Sequence, residues 1–498
     1  MADSPLGADR LHTTREQAAT VALGLAMAAS VLFTSRLATS WSWTNAMLLA
    51  VVTIGAAVYL AHPGIAIAAI LLPFAVVDEG TPDVIPALRE FGETLYGNYS
   101  GGFLAPRDVL LGLAALAAAA WFPAAPDRSR RLFGRVTWVV IATGACLMAG
   151  LVVGLYALHG PGGSIQGLRP FYTCVIAAFV VWRVLRSMPR ARAERAVLNA
   201  SLVVGGILLA IAALRIVGLA GTPVEIDGVS ITFFDAASPY VLLCCTGIWA
   251  VAFTERRVAG RLRLPLGLLV LAGLVAAIAS QRRAVLVGYA AAALALLLFN
   301  AARRRGGVVR SVRIFAAVMG VLALTLLLVS IAVPGARDLF VERTATALSA
   351  AEESSSTDSS LQYRVDESNA VYALAGRNLW NGIGPTTGFT PVNSISLPTD
   401  GTYTHNTYYA LPLRYGIWGI LGLIVLVLGL VLRVGRGLFR DPPKMAWVLG
   451  AAILALLPAI ATAAFLTQTS RWGIVLGGIV GAFDALTDPP EETAGPAA

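Results

Sequence analysis

The chain has 498 residues, of which 57% are hydrophobic and only 13% are charged. A soluble protein of this length needs far more charged residues on its surface, so the composition indicates an integral membrane protein. The net charge of +9 does not indicate nucleic-acid binding, because the basic residues form short clusters between apolar segments, as they do in the cytoplasmic loops of membrane proteins.

Apolar segments long enough to cross a bilayer recur along the whole chain and predict about 14 transmembrane helices. They lie at residues 18–35, 43–61, 63–77, 108–122, 136–158, 170–185, 196–219, 239–254, 264–280, 284–300, 314–333, 412–432, 446–467 and 472–486. The first is interpreted as a retained helix, because it follows a polar start and has no convincing cleavage site. The predicted fold is an all-α, polytopic integral membrane helical bundle with a large extracytoplasmic loop that contains short helices.

The basic clusters predict the orientation of these helices. With a cytoplasmic N-terminus, the clusters at 128–135, 183–195, 256–263 and 303–313 all lie on the cytoplasmic side, and the C-terminus is cytoplasmic as well. The cytoplasmic loops are too short to fold into a nucleotide-binding domain, and they contain no glycine-rich phosphate-binding loop. Chemistry driven by a nucleotide inside the cell is therefore not expected.

The predicted topology divides the chain into three parts. Residues 1–333 contain transmembrane helices 1–11, residues 334–407 form the large extracytoplasmic loop, and residues 408–498 contain transmembrane helices 12–14 and a cytoplasmic tail. A connection as long as 334–407 is usually functional. Helices are predicted in it at 337–348 and 361–379. The apolar face predicted for the second helix consists of Leu361, Val365, Val371, Tyr372, Ala375 and Leu379.

Three short motifs lie near the second half of the bundle. A glycine-rich turn at 378–384 follows the second loop helix, and Gly382, Gly384 and Pro385 are residues that end helices. The pair His405-Asn406 leads into a segment with Gly416 and Gly419. The third motif, 280–283, connects two apolar segments and contains Arg282 and Arg283.

These motifs resemble those of the O-antigen ligase and O-antigen polymerase family of membrane glycosyltransferases. The resemblance covers roughly residues 264–432 and rests on the order of the three motifs. Trp380 departs from the family pattern because it replaces a Pro after the helix. Arg282 replaces a Ser, and Arg414 stands where many relatives have an acidic or neutral residue.

The resemblance implies an inverting, metal-independent transfer of a glycan from an undecaprenyl-pyrophosphate carrier to an acceptor sugar hydroxyl. The acceptor is a glycan, a lipid or a protein, and the residues do not distinguish a polymerase from a ligase. The reaction takes place on the outer side of the bacterial cytoplasmic (inner) membrane. The implied partners are this lipid-linked donor, the acceptor and membrane lipids. No cofactor, metal or nucleic acid is implied.

If the chain acts as this resemblance implies, His405 is the expected general base, because a neutral imidazole accepts a proton near pH 7. Arg side chains suit pyrophosphate, because a guanidinium donates to two oxygens at once. The expected substrate-binding residues are Arg283, Arg282, Arg215, Arg364, Arg414 and Asn406.

The pair Arg282 and Arg283 has a simpler interpretation as an anchor to lipid headgroups. The preceding apolar segment, 264–279, is about 24 Å long as a helix and therefore shorter than a bilayer core, which places the pair inside the membrane boundary and favours a functional role. Glu367 and Asp366 are expected to solvate a helix face or to pair with Arg. The four Cys residues lie in apolar segments and predict no disulfide.

Two functions from other classes fit the same hydropathy pattern. A lipid-linked oligosaccharide flippase or other transporter needs many transmembrane helices, but it also has charges along a central path and broken helices near the midplane. A glycan-binding membrane scaffold needs no catalytic group.

Overall fold

The computed structural model describes residues 61–77, 105–122, 133–155, 161–217, 235–254, 260–303, 323–331, 359–385, 406–440, 442–461 and 470–488, with a few isolated positions between them. The predicted helices at 18–35, 43–61 and 337–348 lie outside these residues or barely enter them. In 314–333, residues 323–331 are helical. His405 also lies outside the described residues.

The described residues are almost entirely helical. The helices are α1 (Pro63–Val76), α2 (Pro106–Trp121), α3 (Thr137–Leu155), α4 (Pro161–Arg186), α5 (Arg190–Ile216), α6 (Ala237–Thr254), α7 (Gly260–Ala279), α8 (Arg283–Arg303), α9 (Ser359–Arg377), α10 (Thr407–Tyr415), α11 (Ile417–Leu438), α12 (Lys444–Ala459) and α13 (Ser470–Thr487). A two-residue antiparallel pair, β1 (Glu225–Ile226) and β2 (Val229–Ser230), lies between α5 and α6. The all-α prediction is therefore confirmed in its main feature.

Five helical segments in the described part of the chain are long and apolar enough to cross a membrane: Gly167–Arg186, Arg190–Ile216, Ala237–Thr254, Arg283–Ala301 and Ile417–Leu438. Shorter apolar helices lie at Pro63–Val76, Thr137–Val153, Arg263–Ala279 and Lys444–Ala459. Most of these coincide with predicted spans because continuous hydropathy over such lengths is rare outside a bilayer. The total of about 14 spans stays a prediction.

Two predicted spans have the wrong boundaries. The span at 412–432 contains a break at Gly416, which separates the short helix α10 from α11. The span at 264–280 begins too late, since α7 starts at Gly260 and its 20 residues give a length of about 30 Å. Arg side chains near a helix end can extend to the polar boundary, so a cluster of Arg does not mark where a helix begins. The apolar part of α7 is Arg263–Ala279, close to the predicted short segment, and the depth of Arg282 and Arg283 in the membrane stays a prediction.

Helices α4 and α13 pack closely in the same direction along a row of glycines. A Cβ atom on Gly473, Gly477 or Gly481 would collide with the backbone oxygen of Pro170, Cys174 or Ala178, respectively. The spacing of four residues on both helices keeps the small residues on one face. These two helices correspond to the sixth and fourteenth predicted spans. Successive spans alternate in direction, so two even-numbered spans are expected to cross the membrane in the same direction, as α4 and α13 do.

Carboxylates join the helices at the end of the bundle that is predicted to face the cytoplasm, which we call the inner end. The buried Asp484 of α13 accepts hydrogen bonds from the backbone nitrogens of Val136 (2.9 Å) and Thr137 (3.0 Å) and thereby caps α3. Asp488 accepts from Arg186 (2.5 Å) at the end of α4 and lies 3.8 Å from Arg135.

At the opposite, outer end, Arg471 joins three helices. This side chain is 1% exposed and donates to Asp235 Oδ2 (2.7 Å). It also donates to the carbonyls of Phe74 and Ala75, which are in the last turns of α1, and to Ser238 of α6. A guanidinium satisfies the open carbonyls at a helix C-terminus and is favoured there by the helix dipole.

The four cysteines are all free, as predicted.

Candidate functional site

Two of the sequence motifs are in direct contact at the outer end. The turn after α9 lies against α10, where the backbone N–H of Ile383 donates to the carbonyl of Leu413 (2.8 Å) and that of Gly384 donates to the carbonyl of Arg414 (3.1 Å). The Arg414 guanidinium donates in return to the carbonyl of Gly384 (3.1 Å). Segments thirty residues apart in sequence are thus held together mainly by backbone groups.

Glycine is required for this contact. Gly382 has a φ of +67° and Gly416 has a φ of +60°, and residues other than glycine rarely adopt such positive values. A Cβ on Gly382 would collide with the carbonyl of Arg414, and one on Gly416 would lie 2.6 Å from the carbonyl oxygens of Leu379 and Trp380. Gly419, one turn further along, approaches the carbonyl of Leu411 closely. The glycines recognised in the sequence therefore form one interlocked structure, which we call the glycine junction and define as residues 378–385 and 411–419.

The third motif forms a tight turn between α7 and α8. Gln281 has a φ of +56°, and the backbone N–H of Arg282 is 3.3 Å from the buried Ser280 hydroxyl. The carbonyl of Arg282 accepts from the N–H of Val285, so Arg282 immediately precedes the first residue of α8, Arg283. The Arg282 and Arg283 side chains are half-buried at this turn.

Arg215 belongs to the same cluster as this turn, although it comes from the end of α5. Its guanidinium donates to the carbonyl of Thr232 (3.0 Å). The Thr232 hydroxyl donates to the carbonyl of Ala276 (2.7 Å), and its N–H donates to that of Ala279 (3.4 Å). Thr232 therefore connects Arg215 to the last turn of α7, immediately before the 280–283 turn.

Helix α12 lies beside both groups of residues. The N–H of Thr407 donates to the carbonyl of Ile460 (2.9 Å), and the Tyr408 hydroxyl donates to that of Leu457 (2.8 Å). On α8, Gly288 packs against the carbonyl of Ala455. From this contact, Arg283 lies five residues before Gly288 and Ile460 lies five residues after Ala455, in both cases toward the outer end. Five residues of helix are about 7.5 Å long. The arginine turn and the start of α10 therefore lie at a similar level beside the end of α12.

Asn406 is the N-cap of α10. Its side-chain oxygen accepts from the N–H of Tyr408 (2.9 Å), an arrangement that satisfies one of the open donors of the first helical turn. A role of its amide nitrogen toward a substrate stays a prediction. His405 precedes it and is not among the described residues. Arg364 is in α9, but the structure does not describe its side chain.

Several polar side chains lie in places that the sequence did not predict. Glu367 is 1% exposed, so the expectation that it solvates a face of α9 is wrong. The apolar face predicted for α9 is correct for Val371 and Ala375, which pack against Leu413, but wrong for Tyr372 and Leu379, which are exposed. Within the described ranges, no three His, Cys, Asp or Glu side chains form a group suited to a metal ion, and metal independence stays a prediction.

Arg471 and Asp484 were not recognised from the sequence. A signal was available for both, since Arg471 immediately precedes an apolar segment and Asp484 lies within it. Charged residues in such segments are rare and usually have a partner. Arg169, on α4, is another buried charge at the outer end and pairs with Asp108 (3.4 Å) of α2.

The apolar helices, together with the glycine turns and arginines at the outer end, define the class of protein. It is a polytopic helical membrane protein with a polar site at one end. The O-antigen ligase family model matches residues 268–424. This range, about a third of the chain, contains the arginine turn and the glycine junction, so the resemblance recognised from these motifs is confirmed there. The match supports a place in polysaccharide assembly in the membrane. No curated protein sequence matches the chain.

Proposed function

We propose that this protein is a glycosyltransferase that moves a glycan from an undecaprenyl-pyrophosphate carrier to an acceptor sugar hydroxyl on the outer side of the bacterial cytoplasmic membrane. The observation that carries the proposal is the glycine junction. It brings two distant motifs together at the last turn of α10, the short helix that follows His405 and Asn406, and this whole region lies within the match to the O-antigen ligase family.

The proposed reaction is a direct displacement at the anomeric carbon. The acceptor oxygen forms a bond to this carbon, the bond from the carbon to the pyrophosphate oxygen breaks, and its electron pair leaves with the pyrophosphate. The acceptor proton is transferred to the imidazole of His405. A sugar pyrophosphate is already activated, so no nucleotide is consumed, and attack from the opposite face inverts the anomeric configuration.

Three arginines are proposed to bind the pyrophosphate. Arg215 is connected through Thr232 to the helix that ends at the turn bearing Arg282 and Arg283, so three guanidinium groups come from one small region. Fixed cations directed at developing negative charge typically contribute several kcal/mol to a reaction of this kind. We propose that they supply the countercharge without a divalent metal.

Arg414, Asn406 and Arg364 are proposed to act around this centre. Arg414 is almost buried and donates to Gly384, so its first effect is on the shape of the glycine junction. Asn406 fixes the start of α10 and therefore the position of the preceding His405. Arg364 is proposed to contact the donor from α9.

The test is release of undecaprenyl pyrophosphate by the purified protein in detergent, with the lipid-linked glycan and an acceptor, in the presence of excess chelator. The proposal expects release that matches the amount of glycan transferred. A flippase or a scaffold releases none, and that result would overturn the proposed activity. Release that requires an added divalent metal would overturn only the role of the arginines as the sole countercharge.

A further inference from the structure

One face of the second half of α9 and of the turn after it is exposed from Asn369 to Trp380. The residues follow helical spacing and share this face: Asn369, Tyr372, Ala373, Gly376, Arg377 and Trp380. The two aromatic side chains are largely exposed, with 69% of Tyr372 and 74% of Trp380 accessible. We call these six residues the aromatic strip.

Two small residues lie between the two rings of the strip. Ala373 and Gly376 are small, and a Cβ placed on Gly376 would meet no atom within 4 Å. Tyr372 and Trp380 are separated by about 10 Å along the axis, from the rise of a helix and the turn that follows it. This is the length of a short oligosaccharide segment. The amides of Asn369 and Asn381 and the guanidinium of Arg377 lie along the margins as hydrogen-bond donors.

The strip is fixed to the candidate site through the opposite face of α9. Val371 and Ala375 are buried against Leu413 of α10. On the exposed side, the Tyr372 ring contacts the Tyr409 ring edge to face, with 6.2 Å between their centroids. Tyr409 is only three residues after Asn406, so the strip is continuous with the region in which the proposed reaction occurs.

The composition of the strip fits a carbohydrate better than a lipid surface. A helix that lies in a membrane interface exposes several bulky aliphatic residues beside basic ones. Here Val371 and Leu374 are turned toward the protein, and Leu379 is an exposed bulky aliphatic residue beside the strip. The strip itself has two rings, two small residues, one amide and one guanidinium group. Aromatic rings pack against the C–H faces of sugars while amides and guanidinium groups bond to their hydroxyls.

We infer that the aromatic strip binds the oligosaccharide chain of a substrate and guides it toward the glycine junction. The identification of the ligand as a glycan rests on the proposed function. Trp380, which contributes one of the two rings, stands where the pattern of the resembled family has a Pro.

The test measures binding without catalysis. The probe is the oligosaccharide released by mild acid from the producing cell's lipid-linked glycans, titrated onto the full chain in phosphatidylcholine nanodiscs. Trp380→Ala and Tyr372→Ala should each weaken binding about three- to tenfold, and Trp380→Phe should restore most of it. Trp138→Ala is the matched control, because it removes another exposed Trp (49%) from the opposite end of the bundle and should leave the dissociation constant unchanged.

A spin label at Gly376→Cys, in a chain lacking the four native cysteines, separates a glycan from a membrane as the occupant. Preferential collision with a water-soluble nickel reagent supports the proposal, and preferential collision with oxygen in the lipid overturns it. Absence of probe binding by the native protein, or unchanged binding by both Ala variants, also overturns it. Because the probe has no pyrophosphate, loss of binding in the Ala variants supports the strip even if no undecaprenyl pyrophosphate is released in the activity test. If undecaprenyl pyrophosphate is released but both Ala variants bind the probe as the native protein does, the strip is not a glycan site and the proposed activity stands.

Discussion

The carboxylates at the inner end and the glycine junction at the outer end are two different kinds of contact. At the inner end, the side chains of Asp484 and Asp488 connect α13 to the start of α3 and the end of α4. At the outer end, the glycine junction is joined mainly by backbone N–H and carbonyl groups of residues 383–384 and 413–414. The inner carboxylates tie helices to one another, as Arg471 does at the outer end, whereas the glycine junction positions short turns.

This difference indicates how each end tolerates change. A side-chain contact can be shortened or weakened while the helices stay in place, so its loss mainly lowers the free energy of unfolding. A backbone contact at a positive φ leaves no room for a Cβ atom, so a substitution displaces the chain itself. Displacements of about 1 Å from a reactive geometry can cost roughly a hundredfold in rate. We therefore expect activity to be most sensitive at the outer end and stability at the inner end.

The largest effect is expected from Gly416→Leu. The new side chain collides with the carbonyls of Leu379 and Trp380 and is strained at this φ, so the glycine junction cannot close. Glycan transfer by the purified, inserted protein should fall by at least about a hundredfold. The matched control is Gly435→Leu at the other end of α11, where a Cβ has open space. Equal activity of the two variants would show that the junction has no part in positioning the site.

A somewhat smaller loss is expected from Arg283→Lys. This change keeps the charge but removes the planar pair of donors that binds two phosphate oxygens, and loss of one such contact typically costs about 10²-fold in rate. Arg283→Ala should lose at least as much. Steady-state transfer rates at saturating donor measure the effect, and Arg303→Lys at the inner end of α8 is the control. If Arg283→Lys and Arg283→Ala both keep full activity, the residue is a headgroup anchor.

The inner end should respond in stability and not in rate. Asp484→Ala leaves the first backbone donors of α3 without their carboxylate cap in a buried place, which costs about 1–3 kcal/mol. Thermal unfolding in detergent should shift to lower temperature, while transfer per folded molecule below that temperature stays native. A large loss of rate at native stability would remove the distinction between the two ends.

Hydropathy predicted the helices well where the chain is uniformly apolar. The segment 239–254 corresponds to Ala237–Thr254, since nothing in it interrupts burial or backbone hydrogen bonding. The polar helix predicted at 361–379 was found at Ser359–Arg377, because its spacing and the glycines that follow define both ends. The motifs that identified the family are also the segments that the structure brings into contact.

Other features depend on contacts that a single sequence does not display. The break at Gly416 lies inside an apolar segment, and only its contact with the 378–385 turn makes a positive φ favourable there. Tyr372 is exposed because only part of the predicted apolar face, Val371 and Ala375, packs against Leu413 of α10. Asp484 and Arg471 were detectable as charges near apolar segments, but their partners come from distant helices.

The central claim is that the outer site transfers a glycan with His405 as the general base, and His405→Gln tests it most directly. His405 immediately precedes the cap of α10, and Gln can form a hydrogen bond but cannot accept the proton. We expect the variant to insert and to bind the lipid-linked donor with native affinity, while its transfer rate falls by about 10²–10⁴.

The same assay gives the pH dependence of the native protein. Only the neutral imidazole accepts a proton, so the transfer rate should fall as the pH decreases through the pKa of His405, which is about 6.5 for an unperturbed imidazole. A single-turnover measurement of His405→Gln and the native protein across this pH range decides the matter. We expect almost no product from the variant at any pH, and near-native turnover by His405→Gln would show that His405 is not the general base.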